Sequence, residues 1–134
     1  MHTTPHAWRA LQMVAVILTA SFLECNPDAV TPYVPVVTNE VDSFEYQVPV
    51  NGVTTTARYV WTNTGNGATV NLQSNVTGGT ATVSINDADG ALIFTHALDG
   101  SGEMGTSGGS VGDWMITITL SNTIGTVHFS VQKQ

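Results

Sequence analysis

The pentapeptide Gly105-Thr106-Ser107-Gly108-Gly109 reads Gly-x-Ser-x-Gly, a pattern that can present a serine hydroxyl for nucleophilic attack, and His96 and Asp99 lie a short way upstream. A nucleophile elbow needs a strand before it and a helix after it. A triad also needs a scaffold that holds the base and an oxyanion hole in place. Nothing near Ser107 has helical spacing, and in a Gly/Ser-rich stretch a five-residue match carries little information. Ser107 is therefore expected in a loop, with no catalytic residue assigned and the protein not an enzyme. The same stretch has neither the lysine nor the following helix of a phosphate-cradling loop.

Two other groups of residues could bind rather than react. Asn86, Asp87 and Asp89 put three oxygen-bearing side chains into one turn, as calcium would require, but no bidentate Glu follows at a fixed interval, and Asp-Gly turns also form for purely geometric reasons. Calcium is the one cofactor this turn could hold; otherwise none is expected. Tyr59 and Trp61 could form an aromatic platform for sugar rings, or could be core. Trp114 heads an apolar face and is expected to be buried. His96 and His128 are far apart and have no cysteine partner, which argues against zinc. Asn75-Val76-Thr77 fits the glycosylation sequon, which would be without meaning in a bacterial chain.

The N-terminus indicates where these residues would act. Residues 1–9 contain Arg9, His2 and His6 and no acid, and the run Ala10 to Leu23 is apolar up to Glu24. This is the layout of a signal peptide, over residues 1–24, and the run is shorter than the roughly 20 residues a membrane-spanning helix needs. The only cysteine, Cys25, follows at once. Leu23-Glu24-Cys25 resembles the lipobox of bacterial lipoproteins, which implies an acyl-bearing Cys25 and a membrane partner reached through that anchor. Cleavage near Ala20, leaving a free thiol, is the alternative. Residues 25–42 carry Pro27, Pro32 and Pro35 and read as a tether, although Val34, Val36 and Val37 could form an edge strand.

The remainder, residues 43–134, must supply the scaffold. Only 10% of the chain is charged, and its formal net charge is −7. After residue 24 the only cations are Arg58 and Lys133, so nucleic acid is an unsuitable partner. Alternating apolar and polar residues recur from Phe44 onward. Phe44 to Val48, Asn51-Gly52 and Thr54 to Trp61 read as a hairpin, because Asn-Gly favours a tight turn. Further strands are expected over 68–73, 80–86, 91–97, 114–120 and 127–131. Between them lie turns at 62–67, Gly78-Gly79, 87–90 and 121–125, and a glycine-rich crossing without strand structure over 99–112. The fold class is all-β: an antiparallel, jelly-roll-like β-sandwich of about seven to eight short strands.

One resemblance covers roughly residues 44 to 132. The acidic turn Asp87-Ala88-Asp89-Gly90 before an apolar strand, the glycine-rich crossing, and Gly112-Asp113-Trp114 opening Ile116-Thr117-Ile118 are similar to the bacterial pre-peptidase C-terminal type of β-sandwich. That resemblance implies an accessory, non-catalytic module of exported proteins. Three functions from different classes follow. The first is a lipid-anchored envelope protein, in the periplasm or at the cell surface, with a structural or protein-contact role. The second is a carbohydrate- or calcium-dependent binding module, and the third a small hydrolase using Ser107. The partner would accordingly be another envelope protein or a glycan.

Overall fold

The computed structural model describes residues 32–134. The expected signal peptide, Cys25 and residues 25–31 of the expected tether lie outside them. Seven strands follow in order: β1 (Val36–Glu40), β2 (Ser43–Asn63), β3 (Ala68–Gln73), β4 (Asn75–Asn86), β5 (Leu92–Ala97), β6 (Ser101–Gly105) and β7 (Gly112–Lys133). All pairings are antiparallel. Pairing begins at Val36, so the edge strand that Val36 and Val37 permit is present as β1.

The expected hairpin from Phe44 to Trp61 does not form. Ser43–Asn63 is one strand, and both of its halves pair with β7: Tyr46 with Phe129, and Tyr59 with Ile116. The positive φ of Gly52 (75°) makes a bulge rather than a chain reversal. The local signal is the same in the two cases. The long-range partner decides between them, because β7 offers each half a whole strand of apolar residues. The turn expected at 121–125 likewise lies inside the continuous β7, and the break expected at Gly78-Gly79 lies inside β4. The crossing over 99–112 contains β6, which pairs with β3. Two long strands thus replace four short ones.

The long strands build a sandwich by bending. Phe44 and Tyr59 both belong to β2, and a straight strand would separate them by about 50 Å. Their ring centroids are 5.5 Å apart. The bends of three neighbouring strands coincide: Asn51 and Gly78 both pair with Ile124, and Val76 pairs with Gly125. A single fold line therefore crosses β2, β7 and β4. On one side of it lies the order β1-β2-β7-β3-β6, and on the other β2-β7-β4-β5.

The bulges also correct the side-chain phase. Phe44, Tyr46, Val48 and Val50 face inward at even positions of β2, whereas beyond Gly52 the inward positions are odd, ending at Trp61 and Asn63. In β7 the switch runs from Trp114, Ile116, Ile118 and Leu120 to Thr123, Val127, Phe129 and Val131. Without the extra residue, everything beyond the bend would turn its apolar face to water. The fold line has its own polar closure: buried Thr123 donates through Oγ1 to the Thr80 carbonyl (2.6 Å) and accepts from the Ser121 N–H (3.1 Å).

Candidate functional site

The acidic turn after β4 is closed upon itself. Asp87 is buried, and its Oδ1 accepts from the N–H groups of Asp89 (3.0 Å) and Ala91 (2.9 Å) while Oδ2 accepts from the Ser110 N–H (2.9 Å). The Asn86 amide donates to the Gly90 carbonyl (3.1 Å), and the Asp89 carboxylate accepts from the Ser110 hydroxyl. Of the three side chains expected as calcium ligands, Asp87 and Asp89 pin the turn to the 106–111 loop through Ser110, and Asn86 closes the turn itself. Among the described residues no group of three His, Cys, Asp or Glu comes together to hold a metal.

The backbone N–H of Ser110, then that of Ala91, stabilise the carboxylate and hold the Asp87 pKa below its ordinary 3.8. The unfolded chain then takes up a proton more readily than the folded one. This contribution to stability is present above about pH 4 and lost as pH falls through the lowered value. Asp42 behaves alike: its carboxylate accepts from the Thr64 N–H (2.7 Å) and hydroxyl (2.8 Å), and Lys133 lies 3.3 Å away. The Asp87→Asn variant should melt several degrees lower at neutral pH, because the amide nitrogen that replaces one carboxylate oxygen cannot accept, and either the Ser110 N–H or the Asp89 and Ala91 N–H groups lose their acceptor. Its acid-unfolding curve should also be shallower below about pH 4, where the parent loses this contribution as its carboxylate is protonated. Thermal melts at stepped pH check both effects, and an unaltered slope would count against the assignment.

The expected aromatic platform is not exposed. Trp61 is fully buried, edge-on to its cross-strand partner Trp114 at 5.7 Å and 84°. Its Nε1–H donates to the Glu40 carbonyl (3.0 Å), and that of Trp114 to the Ser110 carbonyl (2.7 Å). Tyr59 packs between Phe44 and Tyr46, and burial raises the pKa of its phenol. The reason is the β2 bend, which carries this stretch back over the first half of the same strand. Tyr46 shares a hydrogen bond with Tyr33 (2.8 Å), and burial pushes its phenol pKa far upward.

The hydrolase pattern is not assembled either. Ser107 sits in the loop after β6, where its N–H donates to the Ile93 carbonyl (3.1 Å), while the His96 Nδ1–H donates to the Ala97 carbonyl (2.7 Å). No hydrogen bond among the described residues joins Ser107 to His96. His96 stacks on Phe94 at the outer edge of β5, and His128 instead donates through Nε2 to Glu45 (2.8 Å).

A set of residues that sequence inspection did not single out lies on the outer face of the β2-β7-β4-β5 half. Register aligns Arg58, Thr117, Ser84 and Thr95 in one row and Thr56, Thr119, Thr82 and Ala97 in the next. The row on the other side runs Val60, Met115, Asn86, Leu92, with Val60 and Leu92 more than half exposed. Each row thus crosses four strands at a spacing of about 4.8 Å. Arg58 forms no salt bridge among the described residues and carries the only guanidinium there, within a field of hydroxyl groups and methyls. The alternation in each strand is visible in the sequence. The alignment of one strand with the next is not.

No protein-family model matches the chain, and no curated protein matches it significantly. Solved structures that resemble this chain include three of low identity. A carbohydrate-binding module from Cellvibrio mixtus lichenase 5A, in complex with cellotriose, is 13% identical with a TM-score of 0.43 over 80% of this chain and 91% of that one. The enzymatically active domain of tailspike protein 4 from bacteriophage CBA120 is 14% identical (TM-score 0.40), with 78% of this chain and 18% of that one covered. A structure of the Gx strain of infectious bursal disease virus is 15% identical (TM-score 0.27), with 81% and 35% covered. These likenesses concern the arrangement of strands and carry nothing about ligand or activity.

Proposed function

We propose that the domain is a non-catalytic binding module for a hydroxyl-rich ligand, a glycan, taken up on the outer face of the β2-β7-β4-β5 half. The single observation behind this reading is that face: a guanidinium with no salt bridge among the described residues, set beside rows of hydroxyls and bordered by exposed aliphatic carbon. Sugars offer the complement, since their hydroxyls pair with Thr, Ser and Arg and their C–H faces lie against methyl groups. The sheet beneath is hydrogen-bonded across four strands, which keeps the ordering entropy that opposes binding small. We further propose that the module is exported and tethered by an acylated Cys25, on the strength of the charged-then-apolar N-terminus that precedes it.

The test is calorimetric titration of the full chain with neutral and uronic-acid oligosaccharides, next to an Arg58→Ala variant. Arg58 is exposed, so the variant should melt like the parent while its affinity falls about tenfold, as expected for a lost hydrogen bond to a charged donor. A preference for uronates would identify a carboxylate as the Arg58 partner. Equal affinity of the two proteins, or no saturable binding by any glycan, would overturn the reading and leave a structural or protein-contact role at the envelope. Mass spectrometry of the mature N-terminus after bacterial expression checks the anchor: a diacylglyceryl group on Cys25 supports it, and a free N-terminus near Ser21 sinks it.

A further inference from the structure

The chain contains two Asn-Gly steps, Asn51-Gly52 and Asn66-Gly67, and the fold treats them differently. We propose that Asn51 is a site of spontaneous covalent modification, deamidation to aspartate and isoaspartate, placed on the fold line of the sandwich. The backbone nitrogen of Gly52 gives its proton to solvent base and attacks Cγ of Asn51. An N–Cγ bond forms, the Cγ–Nδ2 bond breaks, and the amide nitrogen leaves as ammonia. Water then opens the resulting succinimide at either carbonyl, and nothing is oxidised or reduced.

Three features favour this at Asn51. Both residues are exposed. Gly52 is the bulge residue, without a partner between the pairs Asn51 with Ile124 and Val53 with Thr123, so closing the ring does not displace an aligned residue pair. A Cβ built on Gly52 would meet nothing within 4 Å, which leaves space for the ring.

At Asn66-Gly67 the asparagine is again exposed, but the glycine and its peptide are held. Gly67 is buried, and a Cβ there would lie 2.7 Å from Gln134 Oε1. The Gly67 carbonyl accepts from Asn63 Nδ2 (3.2 Å) and the Gln134 N–H (3.1 Å), and the Asn66 carbonyl accepts from the Gly109 N–H (2.7 Å). Turning this peptide into the cyclising geometry breaks those bonds. Asp89-Gly90, which could form the same ring, is held as well, because the Gly90 N–H donates to the Asp87 carbonyl (3.0 Å). Isoaspartate at residue 51 would add a backbone methylene where β2 must keep its register with β7 on both sides of the bend.

The test is peptide mass spectrometry of the full chain after storage at mildly alkaline pH, with isoaspartyl and aspartyl peptides separated by chromatography. In the folded protein Asn51 should convert several-fold faster than Asn66, and in urea the two rates should converge. Deamidation at Asn66 as fast as at Asn51 in the folded protein would overturn the proposal. So would an Asn51 that survives folded storage but converts in urea.

Discussion

Replacing Trp114 with alanine is expected to cost about 3–5 kcal/mol, a large share of the roughly 5–15 kcal/mol that stabilises a domain of this size. The ring is fully buried at one end of the sandwich, where it meets Trp61 edge-on. Its removal leaves an indole-sized cavity against a partner fixed by its own hydrogen bond to Glu40. A second loss is local. The Trp114 Nε1–H holds the Ser110 carbonyl, and the Ser110 N–H holds Asp87, so one side chain ties the 106–111 loop to the acidic turn. Denaturant unfolding should show the full loss. Hydrogen exchange should show the loop opening in Trp114→Phe, which refills most of the volume but cannot donate. If Trp114→Phe leaves the loop amides as protected as in the parent, the tie through Ser110 is not what orders it.

Alanine at Gly125 should be at least as damaging, for a backbone reason. Gly125 has φ of 127°, and a Cβ there would lie 2.1 Å from the Asn75 carbonyl oxygen and 3.0 Å from Val76 Cα. Both obstacles are backbone atoms of β4, so no change of rotamer relieves them. Either β4 separates from β7 at the fold line or the bend is lost, and a cost of roughly 4 kcal/mol or more is expected. Gly52→Ala is the matched control: its φ is also positive (75°), but a Cβ there has open space. It should lose only about 1–2 kcal/mol, the ordinary penalty for a left-handed conformation. Urea midpoints measured side by side test the contrast. Similar losses at the two glycines would mean that conformation, not the close approach of β4 and β7, sets the cost.

The outer-face Arg58 lies where a substitution should act on the proposed binding and leave stability alone. Core positions such as Trp114 and fold-line glycines such as Gly125 carry the architecture, and changes there act on everything at once. Arg58, Thr117 and Ser84 sit on the solvent side of strands whose inner faces are already filled. They can change with little effect on folding, which is what makes Arg58→Ala a usable probe of function.

What the sequence alone determined was the strand class, most of the inward residues and two of the five expected turns. Alternation is a local property, and Phe44-Tyr46-Val48 or Trp114-Ile116-Ile118-Leu120 can satisfy it only as half-buried strands. Asp87-Ala88-Asp89-Gly90 and Thr62 to Gly67 were legible as turns for the same reason. Only the tertiary structure decided whether Asn51-Gly52, Gly78-Gly79 and Ser121 to Gly125 reverse the chain or merely bend it. A glycine at positive φ serves a hairpin and a bulge equally well, and the choice belongs to the strand alongside. Here β2, β4 and β7 bend at one line, so stretches expected to be separate became continuous and one sheet folded over on itself. The candidate sites followed from that choice. The bend buried Trp61 and half-buried Tyr59, the loop packed against the acidic turn used up Asp87, and the register of four strands, which no single segment encodes, set Arg58 among the threonines.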